Sequence, residues 1–299
     1  MLIETVDHWV PSGGHGLYLQ EIPAADGKDN GVGVLFLHGA FSNQRLFFNH
    51  DQQGAGRYFH ELGYPVFLGN MRGHGRSRWP GHPPHDWSWS FDDYVEADIP
   101  ALLGFVGKHE AGPLFVVGHG LGGYAAAVSL GLFPELQRQV SGLVLLASAI
   151  NDYRDGDKGR RLELPLARLL SRLHGRMPGR PLRLGPADEP PGLIRQFSQW
   201  AEQGSFKSLD GQVDYAEVLA KVTLPVYAAV GEGDTHQASS ARVKQLVQRF
   251  PGRDHFVQVF GPQHGYPRRF GHYDIVVGRH ADEIVFPAVE AWMRRTLGH

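Results

Sequence analysis

Three segments far apart in the chain carry residue types suited to acyl transfer. The apolar run Leu114 to Val117 ends in GHGLGG, Gly118 to Gly123, and leads into the small-residue stretch Tyr124 to Leu130. Strand, sharp turn and helix with glycines at 118, 122 and 123 is the geometry of a nucleophile elbow, normally Gly-x-Ser-x-Gly, where small neighbours let the turn close. The nucleophile belongs at position 120, and the chain has Gly120 there. A glycine cannot attack a carbonyl, so acyl-enzyme chemistry lacks its central atom. A second apolar run, Leu224 to Val230, ends in GEGD and offers the carboxylate of Asp234; beyond the run Phe256 to Phe260, His272 precedes an amphipathic terminal segment and offers an imidazole. A carboxylate that orients an imidazole is the acid–base half of a triad. His264, in GPQHGY, competes with His272 for the base. Ser148, after the run Leu143 to Ala147, is a remote candidate for a displaced nucleophile, although a serine at a strand end is more often a turn residue.

Other chemistries fit less well. Gly118, Gly120 and Gly123 match Gly-x-Gly-x-x-Gly, but this turn follows several earlier strands and no acidic residue ends the next one, which argues against a dinucleotide cradle. The histidines, among them His82 and His85, show no metal-ligand spacing, so neither a metal nor a cofactor is expected. The absence of cysteine excludes disulfides, thiolate sites and cysteine nucleophiles. A formal net charge of −2 and pI near 6.8 give no pull towards nucleic acid. The start MLIETVDHWVPS has no basic and apolar leader, and no run approaches a membrane span, so a cytoplasmic protein is expected.

Positioning these groups requires a sheet. The consecutive apolar runs Val32 to Leu37, Pro65 to Leu68, 114 to 117, 143 to 147 and 224 to 230 suit strands buried on both faces, whereas Ile3 to Val10 and Leu17 to Ile22 suggest an edge hairpin. Between them, Val95, Ile99, Leu102, Leu103 and Val106 have helical spacing, opened by the capping pair Ser90 and Asp93. This alternation predicts a doubly wound α/β sheet with its site at the carboxyl ends of the strands. Residues 151–221, rich in Pro, Arg and Gly, read as a cap inserted into a core of 1–150 and 222–299. Within it Leu162, Leu166, Leu169, Leu170 and Leu173 alternate with Arg161, Arg168, Arg172 and Arg176. The leucines are expected to pack on the body and the arginines to face water, ahead of a membrane-surface role.

Two further turns complete the pattern. His38, Gly39, Ala40 and Phe41 follow the run 32 to 37, and GNMRGHGRS, Gly69 to Ser77, follows the next strand, with Asn70 where related loops commonly carry aspartate. With WSWSFDDYVEADIPALL, GHGLGG and GHYDIVVG, these segments resemble the α/β-hydrolases related to acid and gastric lipases and, more loosely, polyhydroxyalkanoate synthases. The resemblance implies an α/β-hydrolase fold that acts on carboxylic esters with hydrophobic acyl groups. It maps the catalytic serine onto Gly120, the triad acid onto Asp234 and the base onto His272. It also aims the backbone N–H groups of Ala40 and Leu121 at a developing oxyanion. His38, Phe41 and His119, which flank the two turns, are expected to contact a small hydrophobic ester or acyl ligand. Three accounts of Gly120 are open: an engineered inactive variant, hydrolysis by a water that His272 activates, and a binding protein that kept the pocket.

Overall fold

The computed structural model describes residues 2–77, 87–150 and 158–298, with side chains from 163 onward in the last stretch; His82 and His85 lie outside them. Eight strands form one sheet: β1 (Val6–Ser12), β2 (His15–Ile22), β3 (Gly33–Leu37), β4 (Val66–Gly69), β5 (Leu114–His119), β6 (Val140–Leu146), β7 (Val226–Gly231) and β8 (His255–Phe260). Their spatial order is β1-β2-β4-β3-β5-β6-β7-β8. The hairpin β1–β2 is antiparallel and joins β4 antiparallel, and every other pairing is parallel. This is the expected α/β-hydrolase sheet, with the hairpin at one edge.

Strands β3, β4, β5 and β7 are buried at every residue, as consecutive Val, Leu, Phe and Ala dictate when helices cover both faces. Edge strand β8 is only half-buried. Strand β6 stops one residue short of the apolar run because Ala147 adopts φ +45°, outside strand geometry.

The helices are α1 (Ala55–Glu61), α2 (Phe91–Asp93), α3 (Ile99–His109), α4 (Leu121–Leu132), α5 (Lys158–His174), α6 (Pro191–Gln203), α7 (Tyr215–Leu219), α8 (Ser240–Val247) and α9 (Phe286–Leu297). Ser90 caps α2 through the predicted box with Asp93, and a π-helical turn, Tyr94–Asp98, joins α2 to α3. That wide turn buries Asp98, whose carboxylate accepts from the Arg72 guanidinium at 2.7 Å and from Ser12 Oγ at 2.8 Å.

Helices α5 to α7 lie between β6 and β7. Helix α6 buries Leu193, Ile194 and Trp200, and Trp200 meets Phe91 edge-on at 5.1 Å and Phe206 at 4.8 Å. Helix α5 departs from expectation. Leu166, Leu169 and Leu173 are 58%, 54% and 71% exposed, whereas Ser171 is buried. The helix packs on α6 through the face that holds Ser171, so Leu166, Leu169 and Leu173 are left to solvent instead of the body and Leu170 is half-buried; Arg161 and Leu162 lie outside the residues whose side chains are described.

Candidate active site

The carboxyl ends of β3, β5, β6 and β7 meet around Gly120. This residue sits between β5 and α4 at φ +51°, ψ −119°, in the left-handed half of backbone space where a side chain is strained. Its N–H donates to Leu146 O at 2.9 Å, and its carbonyl accepts from Gly123 N at 3.2 Å. The flanking glycines are required by contact: a Cβ on Gly118 would enter the Gly123 backbone, and one on Gly122 would enter the carbonyls of Leu37 and His38. The turn is therefore as tight as an elbow needs.

His272 faces that turn. A Cβ added to Gly120 would lie 3.6 Å from His272 Nε2 and 3.8 Å from Gly39 Cα. On its other side, His272 Nδ1–H donates to Asp234 Oδ2 at 2.6 Å, which leaves the basic lone pair on Nε2, towards position 120. Asp234 is buried, and its Oδ1 accepts from the N–H groups of Gln237 and Ala238, both at 3.0 Å. Burial would raise the Asp234 carboxyl, but the His272 hydrogen bond and charge, with the two backbone donors, hold it below the usual carboxylate range. The pair is thus an oriented imidazole on an ionised acid.

A cleft of about 210 Å³ opens above Gly120 and His272. Ala40 and Leu121 line it from the two turns, Phe41, Tyr124 and Tyr273 add aromatic surface, and Leu184 and Phe197 close it from the segment between β6 and β7. Leu121 is the first residue of α4, so its N–H lies outside the helical ladder.

The neighbouring histidines divide. His119 lines the cleft and donates from Nε2 to the His272 carbonyl at 3.2 Å; burial, then the charge of His272, pushes it down to about 3, so it stays neutral. His38, expected to touch ligand, does not line the cleft. It is fully buried, donates from Nδ1 to Gly39 O at 2.8 Å and accepts from Met71 N at 3.3 Å, so it braces the turn from behind. Ser148 is buried behind the elbow, donating to Leu146 O and Gly118 O, and cannot replace a missing hydroxyl in the cleft. His264 is exposed on a 3₁₀ turn, Pro262–His264, away from the lining. Asn70 is likewise outside the cleft, holding Gln44 N and Tyr18 O.

One group escaped sequence reasoning. Glu189, fully buried, reaches from the segment between β6 and β7 to residue 41: its Oε1 accepts from Phe41 N at 2.7 Å, and Phe41 O accepts from Ala187 N at 3.0 Å. Phe41 is held at φ +58°, next to Ala40. Glu189 Oε2 accepts from Tyr94 OH at 3.1 Å and lies 3.5 Å from His74 Nε2. A Glu inside PADEPPG carries no local signal for partners 95 to 148 residues away.

Residues 33–262 match the family described as serine aminopeptidase, S33. Over 130 residues the chain is 31% identical to lipase LipV of Mycobacterium tuberculosis, covering 42% of this chain and 44% of that protein. Over 148 residues it is 26% identical to bovine (Bos taurus) gastric triacylglycerol lipase, covering 46% and 37%. The chain thus spans less than half the length of these curated relatives. In structure, a soluble variant of the Saccharomyces cerevisiae monoglyceride lipase superposes with TM-score 0.66 at 17% identity, over 99% of this chain and 98% of that one. An esterase from Pyrococcus furiosus gives 0.62 at 16%, over 98% and 91%. Both show the same fold.

Proposed function

The chain belongs to the serine aminopeptidase S33 family of α/β hydrolases, and from that premise we propose that it is an esterase- or lipase-like hydrolase for hydrophobic acyl esters in which Gly120 occupies the nucleophile position. The observation that carries this reading is the His272 Nε2 lone pair, fixed by Asp234 and aimed at the space over Gly120 where a serine side chain would stand. With no hydroxyl to form an acyl-enzyme, chemistry is confined to water. His272 Nε2 takes a proton from water as its oxygen bonds to the ester carbonyl, and the N–H groups of Ala40 and Leu121 receive the oxyanion. The same imidazolium returns the proton to the departing alkoxide as the C–O bond breaks. Turnover by this route is slow, because a site without its nucleophile keeps only about 10³ to 10⁴ over the uncatalysed rate.

Residues 151–221 act in this proposal as a cap, with Leu184 and Phe197 supplying apolar surface for the acyl chain. Because Phe41, Leu184 and Phe197 put apolar side chains in a cleft that lacks a nucleophile, a second reading is an acyl-ligand-binding protein without turnover. Gly120→Ser separates the two. On a panel of acyl esters the variant is expected to gain a substantial part of the ~10⁶ that a triad nucleophile contributes, and to take a fluorophosphonate label. The strained φ at that position is expected to lower stability by ~1 kcal/mol. A folded Gly120→Ser protein that neither hydrolyses esters nor takes the label sinks the hydrolase reading and leaves the binding one.

A further inference from the structure

A second cluster of titratable side chains stands at the opposite end of the sheet from the cleft. His8 on β1, Glu21 on β2 and His109 in the last turn of α3 bring one ligand atom each to within 4.8 Å of one another. Both imidazoles direct Nε2 at the same carboxylate oxygen, Glu21 Oε2: His8 at 2.6 Å and His109 at 3.3 Å. Their rings are held by packing. Phe105 stacks on His109 at 5.7 Å and an interplanar angle of 13°, and touches His8 at 5.1 Å. Phe67 meets His109 edge-on at 5.9 Å. The orientation of the nitrogens is therefore set by the hydrophobic neighbours as well as by the carboxylate.

We infer that His8, Glu21 and His109 form a site for a divalent transition-metal ion, with zinc the best match to two imidazoles and one carboxylate. Nε2 of each histidine and Oε2 of the glutamate are the donor atoms, a set suited to a borderline ion and ill suited to magnesium or calcium, which prefer oxygen alone. Ligand separations near 3.3 Å follow from four-coordinate geometry at bond lengths of ~2.0 to 2.2 Å, so the Glu21–His109 distance already fits and His8 has to retreat by a fraction of an ångström. His109 is about two-fifths exposed, which gives an entry path and leaves a fourth position for water. A bound ion would clamp the β1–β2 hairpin to the end of α3. The ligands come from positions 8, 21 and 109, too far apart for any sequence motif.

The test uses untagged full-length protein stripped with EDTA and titrated with zinc chloride against a chromophoric chelator. One zinc site is expected, with a melting temperature that rises as zinc is added. His8→Gln and His109→Gln should each weaken binding at least ~10-fold and abolish the thermal shift, while melting like the parent without metal. Cobalt(II) in place of zinc should give a visible d–d band that disappears in the same variants. His272→Gln should retain both signals. No stoichiometric zinc site, or zinc binding that survives His8→Gln and His109→Gln, overturns the assignment; so does binding lost in His272→Gln instead, which would place the ion in the cleft.

Discussion

Two acid–histidine pairs, one half-buried and one wholly enclosed, are built for opposite ends. Asp234 and His272 meet at 2.6 Å, and the far nitrogen of His272 faces a cleft. Glu189 and His74 are both wholly enclosed, and every nitrogen and oxygen of the pair is occupied. His74 donates from Nδ1 to Ser42 O at 2.8 Å and contacts Tyr94 OH through Nε2 at 3.2 Å, while the one phenolic proton of Tyr94 goes to Glu189. Burial by itself would lower His74, but the Glu189 carboxylate and the Ser42 carbonyl hold it above its ordinary value. A carboxylate beside an imidazole gives a candidate base where one nitrogen is left open and a structural contact where none is.

The largest test of this contrast is made in the Gly120→Ser background. There His272→Ala is expected to remove nearly all the activity gained, on the order of 10⁶, and with it fluorophosphonate labelling. Labelling that persists would mean that His272 is not the open member of the two pairs. Next in size, Glu189→Ala should lower unfolding free energy by about 3 to 5 kcal/mol, because it removes the buried carboxylate that faces His74 and leaves Phe41 N–H without its acceptor. A loss no larger than that of a surface pair, below ~1 kcal/mol in urea titrations, would show that the Glu189 pair is not structural.

The smallest effect is in the pH profile of stability, where the pairs act on opposite flanks. Asp234 is depressed in the folded state, so its contribution is present above its unfolded value near ~3.9 and is lost as pH falls through the folded value. His74 is raised, so its contribution is full below ~6.5 and is lost as pH rises through the folded value. Urea midpoints should therefore decline on the alkaline side, and Glu189→Gln should flatten that decline while leaving the acid flank unchanged. An alkaline decline that persists in Glu189→Gln would assign it to other groups.

The sheet was legible in sequence because its central strands are buried on both faces and so appear as unbroken apolar runs. The placement of the Gly120 turn, Asp234 and His272 around one cleft was legible because each sits at the end of such a run or just before a terminal helix. Glu189 was not, since its partners Phe41, His74 and Tyr94 become neighbours only through the fold. The leucines of α5 misled for a related reason: periodicity marks an apolar face but does not say whether that face is covered, and here α6 takes the Ser171 side. His38 shows the same limit at one residue, since a strand-end histidine beside the cleft can turn inward to hold a carbonyl.

The ion pair beneath the π-helical turn has a consequence for when the parts of the molecule come together. Asp98, Arg72 and Ser12 all belong to the first hundred residues, so this knot can be tied, with β1 to β4 already paired, while the rest of the chain is still being synthesised. Asp234 and His272 emerge far later. The hairpin and the 70–77 loop can thus be anchored before the elbow has an acid or a base to face. The cleft can be completed only once β7 and the segment carrying His272 have been made and can dock on that sheet half.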